Sequence, residues 1–283
     1  MSESIYQRCR IDLARYQSEQ PGLSGLIGLN QKILDIQESV RARLGPAPPI
    51  SETGLANLRA GQPALNGVKV NVPAAVFLEA AEQLAAEFSR ISGQLFPFDR
   101  LLLLLRARGE DSSELAEDII AGRLDIAQIV EGSGFNIETV AFFLHSLLVP
   151  FFELEAEPYA PVIANREIRW TKGTCPVCGA LPRYGVYHGE KGYRKLYCGL
   201  CRTQWPYPRL KCPFCENPER AGFRLLKLGQ DEAHMAEACD TCGMYLKTTD
   251  ERSLLRECLP VVEDIVTANI DLAAGREGLS RPA

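Results

Sequence analysis

Thr174-Cys175-Pro176-Val177-Cys178-Gly179 begins a run of four Cys-x-x-Cys pairs, continued by Cys198-Gly199-Leu200-Cys201-Arg202, Cys212-Pro213-Phe214-Cys215-Glu216 and Cys239-Asp240-Thr241-Cys242-Gly243. Read in order, they form two units of two pairs, the pairs separated by 19 residues in the first and 23 in the second. A two-residue gap lets one tight turn aim two thiolates at a single ion, and a hairpin of ~20 residues brings a second turn opposite to complete a tetrahedron. The turns carry suitable residues. Pro presets a dihedral in the first and third pairs, Gly179 and Gly243 allow positive φ, and Arg202 and Glu216 stand where the other two glycines would be.

Eight thiols buried as small hydrophobes would not fall into four pairs of one spacing, and a redox dithiol of the thioredoxin kind expects a single pair near a βαβ pattern. The reading is two four-cysteine metal sites, with ligands Cys175, Cys178, Cys198, Cys201, Cys212, Cys215, Cys239 and Cys242. Sequential pairing makes each half a local ribbon. Pairing the first knuckle with the third and the second with the fourth would give a cross-braced site from the same spacing. Tetrahedral sulfur suits both zinc and iron. Four protein ligands leave no open position for water or substrate, which argues against a metal-dependent hydrolase.

Outward from the cysteines, the first 155 residues read as successive helices. Ile5, Cys9, Leu13 and Tyr16 recur at helical spacing, as do residues of Leu23–Leu44 up to a stop at Gly45 and Pro46. A short helix is expected over Ser51–Arg59 and a longer one over Pro73–Ile91. Asp111 and Glu114 have the form of a cap before a helix over Leu115–Ile120. Asn136 precedes a helix over about Glu138–Glu153 that is apolar almost all round and belongs at the centre of a bundle. Pro158 and Pro161 mark Glu157–Ala164 as a linker, beyond which short Tyr-, Val- and Leu-rich segments alternate with Gly and Pro as hairpins do. Helix returns over about Glu251–Ala274.

Composition agrees with an ordinary globular chain: 283 residues, 46% apolar and 24% charged, enough for two or three compact units. Met1–Leu13 lacks the uninterrupted apolar core of a secretory signal. The run Val140–Phe152, broken by His145 and Pro150, falls short of the ~20 residues of a spanning helix. The expectation is a cytoplasmic protein without membrane insertion, in a compartment that favours metal-bound over disulfide-bonded cysteine. Residues 166–227 hold 13 Lys and Arg against 4 Asp and Glu, interleaved with aromatics. A nucleic-acid-binding zinc ribbon or a redox-sensing regulator is therefore the competing reading, although aromatics also fill hairpins and cations also offset thiolate charge. His188 is placed at an exposed hairpin tip, His145 in the core, and the lone Cys9 and Cys258 on buried helical faces; His234 suggests nothing.

The run Cys175-Pro-Val-Cys-Gly-Ala-Leu-Pro182, then Tyr197-Cys198 through Cys201-Arg-Thr-Gln-Trp205, Arg209-Leu-Lys-Cys212 and Cys239-Asp-Thr-Cys-Gly-Met-Tyr-Leu-Lys247 resembles the formate dehydrogenase accessory protein family, FdhE. That resemblance implies two rubredoxin-like folds carrying iron, with zinc as the chemical alternative, and carries the family's ligands onto all eight paired cysteines. It also implies a non-enzymatic role in maturing respiratory formate dehydrogenase by binding its catalytic subunit, with no nucleic acid as partner. The expected architecture is an all-helical domain over 1–165, a first rubredoxin-like four-cysteine domain over 166–209, and a second over 210–283 that ends in a helix.

Overall fold

The computed structural model describes residues 3–107, 114, 116, 118, 125–218, 222–254 and 256–281. In chain order the described elements are α1 (Ile5–Glu19), α2 (Ser24–Leu44), α3 (Glu52–Arg59), α4 (Ala74–Ser92), α5 (Phe98–Ala107), α6 (Ile126–Val130), α7 (Ile137–Ala156) and α8 (Ala160–Ala164). There follow β1 (Pro182–His188), β2 (Tyr193–Cys198), β3 (Gln204–Pro206), β4 (Phe223–Leu226), β5 (His234–Cys239), β6 (Tyr245–Asp250), α9 (Pro260–Val266) and α10 (Ala268–Arg276). Of the helix expected over Leu115–Ile120, Ala116 and Asp118 are described and helical, and the Asp111 cap lies outside the described residues. Contacts divide the chain into two units: one comprises the residues up to Pro48 together with Lys69–Glu155, the other Pro49–Val68 together with those from Ala156 onward.

The first unit is helical, as its periodicity predicts. Ser4 caps α1 by accepting from the Gln7 amide at 3.1 Å, and Tyr6, Cys9 and Leu13 bury one face. Helix α4 buries Phe77, Ala80, Leu84 and Phe88 and ends at Gly93, whose φ of 69° suits a left-handed cap. Asn136 Oδ1 accepts from the Thr139 amide at 2.8 Å and starts α7, the central helix, with Phe143, Leu144, Leu148 and Phe151 wholly buried. Phe143 stacks on Phe96 at 4.2 Å and meets Phe88 edge-on at 5.4 Å. The continuous helical run Ile137–Ala164 is, among the described residues, the one long and apolar enough to cross a membrane, and 61% of its apolar window is buried inside the protein.

Pro150 lies inside α7. It has no amide hydrogen to give the carbonyl of Ser146, four residues earlier. The buried Gln37 of α2 supplies the missing donor, its Nε2 lying 2.8 Å from Ser146 O. Gln37→Leu should therefore cost about 1–3 kcal/mol, the usual penalty of an orphaned buried acceptor, read as a lowered denaturation midpoint.

The second unit is built on one six-stranded sheet of order β3-β2-β1-β6-β5-β4. β1 and β2 form one antiparallel hairpin and β5 and β6 another, while β1 and β6 pair in parallel through Gly185↔Thr248, Val186↔Thr249 and Tyr187↔Asp250. Gly185 is needed at that seam, since a Cβ there would lie 2.6 Å from Thr248 Oγ1. The two ribbons thus share a continuous sheet. A buried ion pair between Arg194 of β2 and Glu237 of β5 spans its interior, and Tyr187 of β1 donates to Glu237.

Two expectations are corrected. Glu157–Ala164 is not an open linker: a 3-10 turn over Glu157–Tyr159 and then α8 continue the chain from α7. Each proline occupies the first turn of its element, where a missing N–H costs nothing. The helix expected over Glu251–Ala274 is instead a turn followed by two short helices. Strand β6 runs on to Asp250, and Leu259, extended because it precedes Pro260, delays the helix to that proline. Cys258 is accordingly buried but not helical, packed with Tyr184, Val186 and Tyr197.

The C-terminal helices are fastened to the sheet by charge. Fully buried Lys247 of β6 sits 2.8 Å from Asp264 Oδ1 and 2.6 Å from Asp271 Oδ2. Arg183 reaches Asp264 at 3.0 Å, Arg281 pairs with both aspartates, and Tyr245 donates to Asp271 at 2.7 Å. Removing one partner of such a buried set leaves uncompensated charge, so Lys247→Met should destabilise this unit by about 3–5 kcal/mol in chemical denaturation.

His234, opening β5, is clamped between Asp231 (Nδ1, 2.8 Å) and Glu263 (Nε2, 3.0 Å), and Arg256 also holds Glu263. Burial disfavours the charged imidazole, but hydrogen bonds to Glu263 and Asp231 outweigh it and raise the pKa above the ordinary 6.5. A raised histidine pKa contributes stability that is complete below 6.5 and is lost as pH rises through the folded value. The stability difference between the wild-type protein and His234→Gln should therefore be largest below that pH and shrink on alkalinisation, as followed by urea unfolding at successive pH values.

Candidate metal centres

The eight paired thiols gather into two clusters, Cys175, Cys178, Cys198 and Cys201 in one and Cys212, Cys215, Cys239 and Cys242 in the other. The sulfurs of each lie within 4.8 Å of one another. The grouping is sequential, so the cross-braced arrangement is not formed. Each cluster joins a loop knuckle to one at the end of a hairpin: β2 ends at Cys198 and β5 at Cys239.

All four knuckles share one backbone design. The amide of the first cysteine donates to the carbonyl five residues on: Cys175 to Ala180, Cys198 to Thr203, Cys212 to Asn217 and Cys239 to Met244, at 2.8–3.0 Å. The residue after the second cysteine turns back, with Gly179, Arg202 and Gly243 donating to the carbonyls of Cys175, Cys198 and Cys239. That residue has positive φ in every case: 80° at Gly179, 58° at Arg202, 59° at Glu216 and 69° at Gly243. Arg202 and Glu216 accept a conformation that costs an L-residue about 1–2 kcal/mol, which identifies the turn as demanded by the cluster and not by local preference. Amides then point at sulfur, Val177 at Cys175 and Phe214 at Cys212, both at 3.4 Å, and the Thr203 hydroxyl lies 3.1 Å from the Cys201 sulfur.

The spacings suit an ion. Cys175–Cys201 and Cys178–Cys198 are 3.4 and 3.5 Å apart, and Cys212–Cys242 and Cys215–Cys239 are both 3.8 Å apart. A disulfide would require ~2.05 Å, whereas an ion ~2.3 Å from four tetrahedral sulfurs sets their mutual distance at roughly 3.8 Å. These crowded thiols divide the burden of ionising: burial holds Cys175 well above its usual range and the neighbouring Cys175 thiol does the same to Cys178, whereas hydrogen bonds with the other three thiols outweigh burial and hold Cys201 well below it. A divalent cation reverses that balance by binding the thiolates directly.

Sequence reasoning missed what surrounds the clusters. Pro49–Val68, from the helical half of the sequence, caps the first knuckle: the Ala64 and Leu65 amides donate to the Pro176 and Val177 carbonyls at 2.8 and 2.9 Å, and Lys172 Nζ reaches Gly61 O at 2.6 Å. The third knuckle is braced by the residues just before the first. The Gly173 amide donates to Glu216 Oε1 at 3.0 Å, and Glu216 also pairs with Lys211 at 2.8 Å. A Glu at position 216, where glycine would suit the turn, was the available signal. His188 lies at the end of β1 beside the Gly189–Gly192 turn, partly exposed, 3.6 Å from Glu251 and outside both clusters. His145 is partly buried on α7, and His234 serves the clamp described above.

Much of the basic stretch is committed within the unit. Arg183, Arg194, Lys211 and Arg224 are ion-paired, Arg224 with both Asp240 and Glu277, and Lys172 and Arg209 lie over the rings of Trp170 and Tyr187.

Family profiles match the cysteine-rich part of the chain: that of the FdhE central domain matches residues 174–209, and that of the FdhE C-terminal domain matches 210–283. Curated relatives named Protein FdhE homolog include one from Pectobacterium carotovorum, 35% identical over 66% of this chain and 65% of its own length, and one from Aquifex aeolicus, 30% identical over 52% and 51%. Another, from Cronobacter sakazakii, is 34% identical over 43% of this chain and 39% of its own. The matched region thus spans between two fifths and two thirds of those relatives. The crystal structure of the FdhE protein from Pseudomonas aeruginosa has the same fold, with a TM-score of 0.67 at 21% identity over 99% of this chain and 95% of that one.

Position 173 tests the brace. A Cβ there would lie 1.8 Å from the Pro213 carbonyl oxygen, so Gly173→Ala should displace the third knuckle. Metal analysis of this variant should show loss from the second cluster although residue 173 is not a cysteine.

Proposed function

The chain belongs to the FdhE family, and from that premise we propose that it is a non-enzymatic accessory protein that binds the catalytic subunit of respiratory formate dehydrogenase and matures it in the cytoplasm. Its eight paired cysteines hold two ions, which we assign as iron; zinc would suit the same sulfur geometry. The observation that carries this reading is the pair of four-thiol clusters built into one sheet. An ion saturated by four protein sulfurs offers no position to substrate, so its work is structural or electronic and not hydrolytic. Bound there, the ion supplies the positive charge that keeps four thiolates together. The surrounding residues aim the sulfurs: amides of Val177 and Phe214, the Thr203 hydroxyl, and the turns at Gly179, Arg202, Glu216 and Gly243.

A protein client accounts for the basic stretch better than a nucleic acid does, because many of its cations already face carboxylates or aromatic rings. Affinity for duplex or single-stranded nucleic acid should accordingly be weak even at low salt, where phosphate binders are strongest.

The test is a pull-down from cells that express the tagged full-length chain, combined with complementation of a strain deleted for the gene. The reading expects a formate dehydrogenase catalytic subunit in the eluate, loss of formate oxidation in the deletion strain, and no rescue by Cys175→Ser/Cys178→Ser. Nucleic acid without a dehydrogenase subunit, together with normal formate oxidation in the deletion strain, would overturn it.

A further inference from the structure

The two clusters share ligand type and knuckle design but not accessibility. In the first, Cys175, Cys198 and Cys201 are buried and Cys178 half-buried, and the segment Gly61–Leu65 lies over the Cys175–Cys178 knuckle with hydrogen bonds to its carbonyls. Gly179, at the end of that knuckle, packs so close to Pro63 that an added Cβ would approach its ring to 3.1 Å. In the second, Cys212 and Cys239 are buried, Cys242 is half-buried and Cys215 is exposed. Cys215 nonetheless keeps ligand geometry, its sulfur 3.8 Å from that of Cys239. The brace on this knuckle reaches it through Glu216, which Gly173 and Lys211 hold, and leaves the Cys215 thiol open to solvent.

We propose that the second cluster is an exchangeable metal site whose outward ligand, Cys215, is displaced by an incoming thiol, whereas the first cluster is sealed and keeps its ion for the life of the folded chain. The inference rests on the reading of the eight cysteines as metal ligands. Exchange of sulfur ligands requires access of the incoming group to the ion, and exposure sets which sulfur is reached first. The step balances without an oxidant: the incoming thiol's sulfur bonds to the ion as the Cys215–metal bond breaks, and the thiol's proton passes to Cys215. A thiol-bearing partner or metal carrier is the chemical class that would use such a site, since it could take up or deliver a soft divalent ion at the exposed ligand.

Zinc-loaded full-length protein provides a redox-silent test. Zinc release to an excess of chromogenic chelator is followed with and without glutathione, and thiols exposed along the way are labelled with N-ethylmaleimide and mapped by mass spectrometry. Release should be biphasic, with one zinc per chain leaving about tenfold or more faster than the other, as expected for an exposed against a buried thiolate. The fast rate should rise with glutathione, and Cys215 should be labelled first. A single rate for both ions, a fast phase indifferent to glutathione, or first labelling at Cys175, Cys178, Cys198 or Cys201 would overturn the proposal. Complete release in guanidinium separates the two levels of failure. A total of two zinc ions with one rate contradicts exchange alone, whereas a total well below two contradicts the ligand reading and the exchange proposal with it.

Discussion

Four cysteine sulfurs held within 4.8 Å of one another in a largely buried space are the constraint on which the sheet unit depends. Uncharged, they make poor hydrogen bonds and little apolar packing; ionised, they repel one another. A cation resolves both problems, and structural tetrathiolate zinc in small peptides is worth on the order of 10–16 kcal/mol. That magnitude explains why the chain tolerates left-handed backbone at Arg202 and Glu216, each costing about 1–2 kcal/mol where glycine would cost nothing. Strain at two turns is small beside the stabilisation of closing the cages.

The cages do not act alone, because the parallel seam between β1 and β6 welds two ribbons into one sheet. Each ribbon taken singly has three strands, and the seam extends them to six. Joined, they bury Tyr184, Leu196, Trp205 and Leu246 and enclose the Arg194–Glu237 pair. The linker between them is tied in as well, since Arg194 donates to Lys211 O at 3.1 Å and Tyr207 to Cys212 O at 3.0 Å. The two ribbons therefore share one continuous sheet as well as one stretch of chain.

The division between what could be read in the sequence and what could not follows contact range. The cysteine pairs were legible because a knuckle is five or six residues of local geometry; their grouping was not, since the same spacing allows sequential and cross-braced pairing. Helices α1, α2, α4 and α7 were legible because apolar periodicity is also local. The β1–β6 seam joins strands some sixty residues apart, and the capping of the first knuckle by Ala64 and Leu65 joins segments more than a hundred apart. Neither leaves a local pattern. Prolines misled in both directions: Pro158 and Pro161 suggested a linker where they begin short helical turns, and the helix expected from Glu251 waits for Pro260. Buried charge was invisible for a related reason. Lys247, Asp264 and Asp271 look like surface residues until α9 and α10 bring them together against the sheet.

Metal content and sulfur coordination test this account most directly, measured together on anaerobically purified full-length protein by elemental analysis and X-ray absorption at the metal edge. The account predicts two metal ions per chain, each with four sulfur neighbours at about 2.3 Å and no nitrogen or oxygen ligand. A content near one ion per chain, or a first coordination sphere containing oxygen or nitrogen, would contradict it.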